Sequence, residues 1–350
     1  MRTLEEYSVE YAVIARNDQD QIFHTHYRDR VIYTRTSASL DLKLLEDCLG
    51  LARSKFGGRR VLIAPSTEAL NRFLLQQRES LAAMHALVPL ADKTCYESIS
   101  DKAAFTALCR AGGLLVPAEY SVLERALLPF VAKPKEYTGK NGKTHSPVLV
   151  FSEAQRRAFA AEHESGDFYF QEYVEGRSIY LLYYFGKNGH VYSYSQENLV
   201  QQPEGKSIVA ARSARYHEQP ISSEYEALFI ELGFSGLVMV ELRENACGQY
   251  MIEANPRFWG PSQLFVDAGV NFFAYLLQDY GLCKPQAHEF VKGEATYLWF
   301  GGIFETLKNS GELSFMNCTP ESFYADFDIW MSHDVYKRSD SLDVFTMELK

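Results

Sequence analysis

Short apolar runs follow one another through the middle of the chain, between residues 168 and 254. Their residue types alternate, which predicts β-strands because successive side chains of a strand point to opposite faces of a sheet. Runs spaced so closely pair mostly as hairpins, and hairpins build an antiparallel sheet. The predicted strands are 168–174, 178–185, 189–195, 206–211, 236–242 and 249–254.

The first ninety residues follow a different pattern, in which apolar runs alternate with amphipathic ones. Strands are predicted at 11–15 and 60–65, and helices over 40–55 and from a cap at 66–67 through Leu75. The order strand, helix, strand, helix is typical of a small parallel α/β domain. We therefore expect an α/β domain followed by α+β material. The length of 350 residues predicts two or three domains.

Further elements are predicted around the sheet. A helix is expected with Ser100 as its N-cap, a strand at 129–134 and a second helix near 152–162. After the last predicted strand, Pro261 is expected to open one continuous helix that reaches about Asp279.

Composition excludes several classes of partner. The net charge of −10 at pH 7 argues against nucleic acid and against an anionic membrane. No apolar stretch approaches the roughly 20 residues of a membrane helix, and residues 1–6 lack the apolar core of a signal peptide. We therefore expect a cytoplasmic protein. Its six cysteines lie far apart without a Cys-x-x-Cys pair, so we expect reduced thiols.

Two carboxylates and an amide are predicted to meet on adjacent strands. Glu253 and Asn255 lie two residues apart and face the same way, and a hairpin can bring Glu241 alongside them. Carboxylate and amide oxygens suit Mg²⁺, which usually shares itself with substrate phosphates. Arg257, two residues further on, lies where a transferred phosphate could be held. Taken alone, the pattern also fits a surface hairpin with ordinary exposed acids.

The segment 251–260, MIEANPRFWG, resembles the hallmark of ATP-grasp enzymes, in particular the branch of carbamoyl-phosphate synthetase-like carboxylate:amine ligases. The resemblance covers about residues 95 to 280. Further segments agree with that family in order and spacing, namely 100–102, 129–134, 171–176 and 236–241.

This resemblance implies an ATP-grasp fold preceded by a Rossmann-like pre-ATP-grasp domain. The latter would occupy residues 1–95. The small, nucleotide-binding subdomain would cover 96–175 and the large subdomain with the metal site 176–300. Residues 301–350 would form a C-terminal closing segment.

The resemblance also implies a role for each matching residue. Lys102 and Lys133 match the two lysines that contact the nucleotide phosphates, where a compact ammonium neutralises charge without demanding one approach angle. Lys133 and Arg257 are also expected to take part in catalysis. The two glutamates and the asparagine match the ligands of Mg²⁺, with Mn²⁺ as an alternative ion.

The strand that joins the two subdomains is matched by four residues, Gln171, Glu172, Tyr173 and Val174. Its backbone is expected to pair with the adenine edge of the nucleotide. The role of the Glu172 side chain stays open: it either accepts a hydrogen bond from the exocyclic amine of adenine or faces solvent. After Gly176 the chain departs from the pattern, because relatives often place a ribose-binding glutamate there. Ser178 and Glu175 are the candidates in its place, and a third alternative is that no recognisable residue binds the ribose.

Two basic features lie outside these motifs. The loop 137–145, with Gly139 and Gly142, is expected either to close over phosphates as a lid or to be a mobile surface hairpin. Arg212 is a catalytic candidate, because its fork of donors could hold an acyl phosphate or a substrate carboxylate. A solvated basic face explains Arg212 equally well.

The function implied by the resemblance is an ATP-dependent ligase. It would activate a small-molecule carboxylate as an acyl phosphate and join it to an amine, releasing ADP and phosphate. Two alternatives stay open: an ATP-binding sensor or scaffold without turnover, and transfer of the acyl group to a thiol. A homodimer is also left open, and nothing in the sequence identifies the carboxylate or the amine.

Overall fold

The computed structural model describes residues 1–57, 60–136, 145–284, 293–309 and 311–350. Within these ranges the strands form a seven-stranded sheet, a four-stranded sheet and two two-stranded sheets. The loop predicted at 137–145 falls outside the described residues except for its last position, so its expected role stays a prediction. None of the helices in the described ranges has the length and apolar character needed to cross a bilayer.

Residues 1–111 contain short strands and helices, but these do not alternate strictly as predicted for the first ninety residues. The elements are α1 (Arg2–Glu6), β1 (Val13–Ala15), β2 (Val31–Thr34), α2 (Leu42–Phe56), β3 (Val61–Leu62), α3 (Glu68–Gln76), α4 (Arg78–Ala83), β4 (Ala86–Leu87), α5 (Lys93–Ser100) and α6 (Lys102–Ala111). Strand β1 pairs with β2 and β3 with β4, both in parallel. Among the described residues these four strands lie in two separate sheets rather than one.

The start of α6 differs from the prediction. Ser100, expected as its N-cap, is instead the last residue of α5. Asp101 has an extended backbone and caps α6, accepting a hydrogen bond of 2.9 Å from the Ala104 N–H. The predicted cap is therefore wrong by one residue, because Asp serves at this position as well as Ser. The break between the helices leaves Lys102 as the first residue of α6.

The four-stranded sheet follows. Its elements are β5 (Glu119–Tyr120), β6 (Phe130–Pro134), β7 (Val148–Val150), α7 (Glu153–Glu162) and β8 (Phe168–Glu172), with strand order β5-β8-β6-β7. Phe130 and Ala132 of β6 belong to the core that this sheet shares with Phe159 of α7. Lys133 follows Ala132, so its side chain leaves the opposite face of the sheet.

The large antiparallel sheet contains the predicted strands except 168–174, which lies in the four-stranded sheet as β8. Its first elements are β9 (Arg177–Phe185), β10 (Val191–Gln201), β11 (Ile208–Ala214), α8 (Pro220–Glu231), β12 (Gly236–Asn245) and β13 (Gly248–Asn255). Strand β10 continues six residues beyond its predicted end at 195. The extra part is polar at Gln196, Glu197 and Asn198, yet all three are buried in the sheet. A hydrophobic pattern therefore could not detect it.

The C-terminal region adds small helices and two edge strands. They are α9 (Gln263–Asp267), α10 (Phe272–Asp279), β14 (Thr296–Leu298), α11 (Phe300–Lys308), β15 (Ser314–Phe315), α12 (Pro320–Ala325), α13 (Phe327–Ser332) and α14 (Leu342–Glu348). The single helix predicted from Pro261 to Asp279 is wrong. Gly269 adopts a left-handed φ of +78°, and Asn271 caps a new helix by accepting from the Ala274 N–H.

Helices cover both faces of the large sheet. On one face Val240 packs in a core with Phe105 of α6 and Phe229 of α8. On the other face Met239 packs in a core with Phe265 of α9 and with residues of α10. The polar residues discussed below interrupt the second face towards one end of the strands.

Strand β15 fills a place that β9 leaves open. It pairs with residues 200–201 of β10, beyond the last β10 residue that pairs with β9. Asn317 then bonds the backbone of Ser178, accepting from its N–H at 3.1 Å and donating to its carbonyl at 3.0 Å. The C-terminal region thus completes the large sheet.

A charged cluster joins the two ends of the chain. The Arg2 guanidinium donates to both carboxylate oxygens of Asp340, at 2.6 and 2.8 Å, and the Tyr27 hydroxyl donates to Asp340 at 2.5 Å. Burial alone would raise the pKa of Asp340, but the hydrogen bonds from Arg2, Tyr27 and Ser341 hold it well below its ordinary value.

We expect Gly176→Ala to lower the free energy of unfolding by about 3 kcal/mol. Gly176 has a φ of +147°, and a Cβ there would lie 2.2 Å from the Glu244 carbonyl oxygen. Urea denaturation measures the loss. Gly189→Ala is the matched control, because Gly189 also has a positive φ, +81°, but no atom within 4 Å, and should lose only about 1 kcal/mol. Equal losses would contradict the close approach.

We expect Asp340→Asn to lower the free energy of unfolding by about 2 kcal/mol at pH 7, because it breaks charge-assisted hydrogen bonds. The folded pKa of Asp340 lies below its ordinary value of 3.8, so its stabilisation is complete above that pH and is lost as the pH falls. Urea denaturation at pH 7 and pH 3 should therefore show the gap to wild type narrowing. Exposed Asp343→Asn is the control, and a gap independent of pH would contradict the pairing.

Candidate functional site

The hairpin of β12 and β13 brings the predicted carboxylates together. Glu241 and Glu253 are direct cross-strand partners, so their side chains share one face of the sheet. Asn255 lies on the same face, and its Nδ2 donates to Glu253 Oε1 at 2.8 Å. The grouping of these three side chains, expected from spacing alone, is present in the structure.

Lys102, the first residue of α6, forms an ion pair with Glu253 Oε2. Burial alone would raise the pKa of Glu253, but the charge and hydrogen bond of Lys102 and the Asn255 amide lower it to about 2. Glu253 is therefore ionised, as a metal ligand must be.

Lys133 reaches the same hairpin from the small sheet. The β12–β13 register shifts after Glu241, which leaves Ile252 as an extra residue in β13. The Ile252 carbonyl accepts a hydrogen bond of 2.7 Å from Lys133 Nζ. Burial, with 5% of Lys133 exposed, and the charge of Lys102 lower the Lys133 pKa to about 7. A bulge in one sheet thus anchors a cation of the other.

Glu241 is more deeply buried than Glu253, and its negative charge is less well compensated by neighbouring cations. Only 8% of Glu241 is exposed, and this burial, together with the charge of Glu253, raises its pKa in spite of Arg243. The Arg243 guanidinium lies 3.4 Å from Glu241 Oε1. Arg243 was not among the site residues predicted from the sequence. The two-residue spacing that grouped Glu253 with Asn255 would also have placed it beside Glu241.

Arg257 closes the cluster. It donates to Asn255 Oδ1 at 3.2 Å and to the Phe258 carbonyl at 2.9 Å. The following residue contacts the N-terminal region, where the Phe258 N–H donates to the Pro65 carbonyl at 3.3 Å. Among the described residues the buried Arg257 Nε has no hydrogen-bond partner.

The predicted hinge, residues 171–174, crosses from the small sheet to the large one. Within it, the Glu172 N–H donates to Ala118 and the Tyr173 N–H to Pro129, and the Gln171 amide donates to Glu119 at 3.3 Å. The Glu172 side chain is exposed and Val174 is buried. The backbone N–H groups of Glu172 and Tyr173 are therefore already bonded within the protein, and Gln171 is paired with Val131 in the small sheet.

Ser178 lies on the same sheet face as Glu241, because it pairs with Arg243 while Glu241 pairs with Tyr180. It is fully buried, and its Oγ accepts from Asn198 Nδ2 at 3.0 Å. Gln196 donates in turn to Asn198 at 2.7 Å. Ser178 thus ends a chain of neutral hydrogen-bonding groups that spacing did not predict.

Arg212 is not brought to this cluster. It pairs with Glu197, one residue away from the row of Gln196 and Tyr180, and so lies on the opposite face of the sheet. Its guanidinium donates to Glu197 Oε2 at 2.7 and 2.9 Å, and Arg177 lies 2.7 Å from the other oxygen. Its fork of donors is engaged with a carboxylate of the protein itself.

A cavity of about 790 Å³ opens beside the hinge. The hinge end, the end of β12 and the C-terminal segment around β15 form its walls. Its lining residues are Tyr173, Glu175, Gly176, Arg177, Arg243, Glu244, Asn245, Ser314, Phe315 and Met316. Arg243 links this cavity to the carboxylate pair, because it touches Glu241 as well.

The donor set fits a hard divalent cation. Within the described ranges no three His, Cys, Asp or Glu residues are grouped as metal ligands. The hairpin instead supplies two carboxylates and the amide oxygen of Asn255. Magnesium is commonly held in proteins by one or two carboxylates, with substrate phosphates and water completing its shell. Lys102 and Arg257 now occupy oxygens that such an ion would need.

No protein-family model matches the sequence, and no curated protein matches it. Solved structures do. A pyruvate carboxylase T882A from Rhizobium etli gives a TM-score of 0.58 at 17% identity, over 83% of this chain and 28% of that one. A biotin carboxylase from Campylobacter jejuni, in complex with a β,γ-ATP ligand, gives 0.59 at 14% identity over 81% and 68%. An N5-carboxyaminoimidazole ribonucleotide synthetase from Thermus thermophilus gives 0.59 at 16% over 84% and 78%.

These proteins share the ATP-grasp fold, so the chain has that mixed α/β fold, as its motifs led us to expect. It spans 28% of the pyruvate carboxylase and about two thirds of the biotin carboxylase. At such low identity the likeness establishes the fold, and the chemistry depends on the site itself.

We expect Glu241→Gln to raise the free energy of unfolding by about 1 kcal/mol in EDTA, because it removes a buried charge that faces Glu253. Thermal unfolding measures the change. Adding Mg²⁺ should stabilise the wild type but not the variant, since a ligand that binds the native state stabilises it. Exposed Glu231→Gln is the control and should behave as wild type. A variant less stable than wild type in EDTA would contradict the repulsion.

Proposed function

We propose that the protein is an ATP-dependent ligase that activates a carboxylate as an acyl phosphate and joins it to an amine. The observation that carries the proposal is the Glu241–Glu253 pair with Asn255, surrounded by cations from three separate elements on an ATP-grasp scaffold. Such a cluster suits the gripping of a polyphosphate, because opposite charges are already in place around a cation site.

In this proposal Glu241, Glu253 and Asn255 hold Mg²⁺, or Mn²⁺ in its place. The bound ion would offset the charge of the transferred phosphate and of its leaving group. Lys102 and Arg257 exchange their present contacts with Glu253 and Asn255 for nucleotide phosphates. Neighbouring proteins support the choice of ligand, since one is a biotin carboxylase domain complexed with MgADP, ADP and bicarbonate.

Lys133 is proposed to contact the phosphates from the small sheet. Its present partner is a neutral carbonyl, and a phosphate would favour its charged form more strongly than Ile252 does. A buried ammonium whose hydrogen bond, among the described residues, goes to a neutral carbonyl is therefore well placed to bind an anion. Lys133 would also act in catalysis, by positioning the phosphoryl group that is transferred.

The base of the nucleotide is proposed to lie against the hinge, in contact with Tyr173 and Val174, while Gln171 and Glu172 support the strand. Ser178, on the same face as the carboxylate pair, stays the candidate for the ribose. Arg212 stays a predicted catalytic residue, but that role requires its release from Glu197 or a substrate on the other face of the sheet.

The reaction proceeds in two displacements. A carboxylate oxygen of the substrate forms a bond to the γ-phosphorus while the bond to the ADP oxygen breaks. The amine nitrogen then attacks the acyl carbon, the C–O bond to phosphate breaks, and the nitrogen loses a proton. Neither displacement needs a covalent protein intermediate, which agrees with a site built from cations and carboxylates. Tight ATP binding with no ADP release across a broad substrate panel would instead favour a sensor, and a thioester product would favour transfer to a thiol.

We also propose a division of the chain into four regions. Residues 1–95 would be a Rossmann-like pre-ATP-grasp domain, 96–175 the small subdomain, 176–300 the large subdomain and 301–350 a closing segment. The parallel pairing of β1 with β2 and of β3 with β4 supports the first of these. The substrates would be small molecules, in the cytoplasm, and a homodimer is compatible with the proposal.

We expect Glu253→Gln to abolish Mg²⁺-dependent ADP formation, because it replaces an anionic ligand at nearly constant volume. The measurement is ADP release from a panel that pairs amino acids and small acids with amines, with mass spectrometry of the product. Exposed Glu231→Gln is the matched control and should retain wild-type release. Circular dichroism should show both variants folded, and full turnover by Glu253→Gln would refute the metal assignment.

A further inference from the structure

Arg243 has fewer hydrogen-bond partners among the described residues than its guanidinium can bind. Among the described residues its guanidinium meets Glu241 at 3.4 Å and the Met316 sulfur at 3.1 Å. A thioether is a weak acceptor, and 3.4 Å is long for a charge-assisted hydrogen bond. Yet only 16% of the Arg243 side chain is exposed. A guanidinium has five donors, so Arg243 has the capacity to bind a further partner.

The cavity beside the hinge supplies the space for one. Arg243 lines it together with Tyr173 of the hinge and with Phe315 and Met316 of the C-terminal segment. Its volume of about 790 Å³ falls within the usual range for ligands of nucleotide size. The other arginine in the lining, Arg177, is already paired with Glu197 at 2.7 Å. Within the described lining of the cavity, Arg243 is thus the arginine with donors to spare.

We propose that Arg243 is a specificity-determining residue of the nucleotide site and that the base stacks on the plane of its guanidinium. The proposal rests on the proposed function, because it assumes that a nucleotide occupies the cavity. Arginine is suited to this role, since its planar, weakly hydrated cation stacks on aromatic rings. Contacts with Glu241 and Met316 restrict the Arg243 guanidinium on two sides. Part of the entropy cost of ordering this side chain is therefore already met before the ligand binds.

A carboxylate of the substrate is the competing occupant. A carboxylate would accept hydrogen bonds from the N–H groups of Arg243 rather than stack on the face of its guanidinium. The lining favours a flat aromatic group, because Tyr173, Phe315 and Met316 offer surfaces for stacking and the acids Glu175 and Glu244 would repel a second carboxylate. The test separates the two by comparing ligands with and without a base.

The experiment measures dissociation constants of ADP and of inorganic pyrophosphate, in Mg²⁺, by calorimetry. The variants are Arg243→Ala, which removes the plane, and Arg243→Lys, which keeps the charge without it. Both should weaken ADP binding by roughly five- to a hundredfold, which is the usual contribution of stacking one base on a flat side chain. Pyrophosphate binding should stay within twofold of wild type, because that probe has no base.

Exposed Arg215→Ala is the control and should match wild type with both ligands, and thermal unfolding verifies that each variant is folded. ADP binding unchanged in both Arg243 variants, or restored by Arg243→Lys, would overturn the stacking role. Equal losses for ADP and pyrophosphate would overturn it too, because Arg243 would then act through charge. A wild type that binds neither ligand would refute the proposed function itself, which keeps the two failures apart.

Discussion

Two carboxylates of like charge face each other across β12 and β13, and the structure is arranged around that repulsion. Like charges directly opposite in a sheet are destabilising, and burial adds a further cost to each. The compensation comes from three places: Lys102 at the start of α6, Lys133 on the small sheet and Arg243 within β12 itself. Separate regions of the chain must therefore be folded together before the pair can be tolerated.

The unequal treatment of the two carboxylates follows from this geometry. Glu253 has a direct ion pair and an amide donor, so its pKa falls, whereas Glu241 has one distant guanidinium and its pKa rises. A site that is only partly compensated retains attraction for a cation. Stability is given up locally where binding is needed, as is common in functional sites.

Local spacing predicted much of this site and none of its surroundings. Glu253 and Asn255 were recognisable because strand alternation needs only their separation of two, and a short turn added Glu241. The sheet face on which Arg212 lies could not be predicted, because a shift of one residue in its pairing with β10 moves a side chain to the other face. The start of α6 at Asp101 and the break in the chain at Gly269 each depend on the backbone conformation of one residue. Contacts such as Met316 with Arg243 join positions 73 residues apart, which no local pattern encodes.

The position of β15 has a consequence for the order in which the molecule can be assembled. Strands β9 and β10 leave the ribosome more than a hundred residues before Asn317, which bonds both backbone groups of Ser178. Until Asn317 emerges, the backbone N–H and carbonyl of Ser178 must hydrogen-bond to water. The neighbouring cavity also lacks the wall made by Phe315 and Met316. A nascent chain can thus collapse its cores early, while its ligand-binding shape is completed only after Asn317 has emerged.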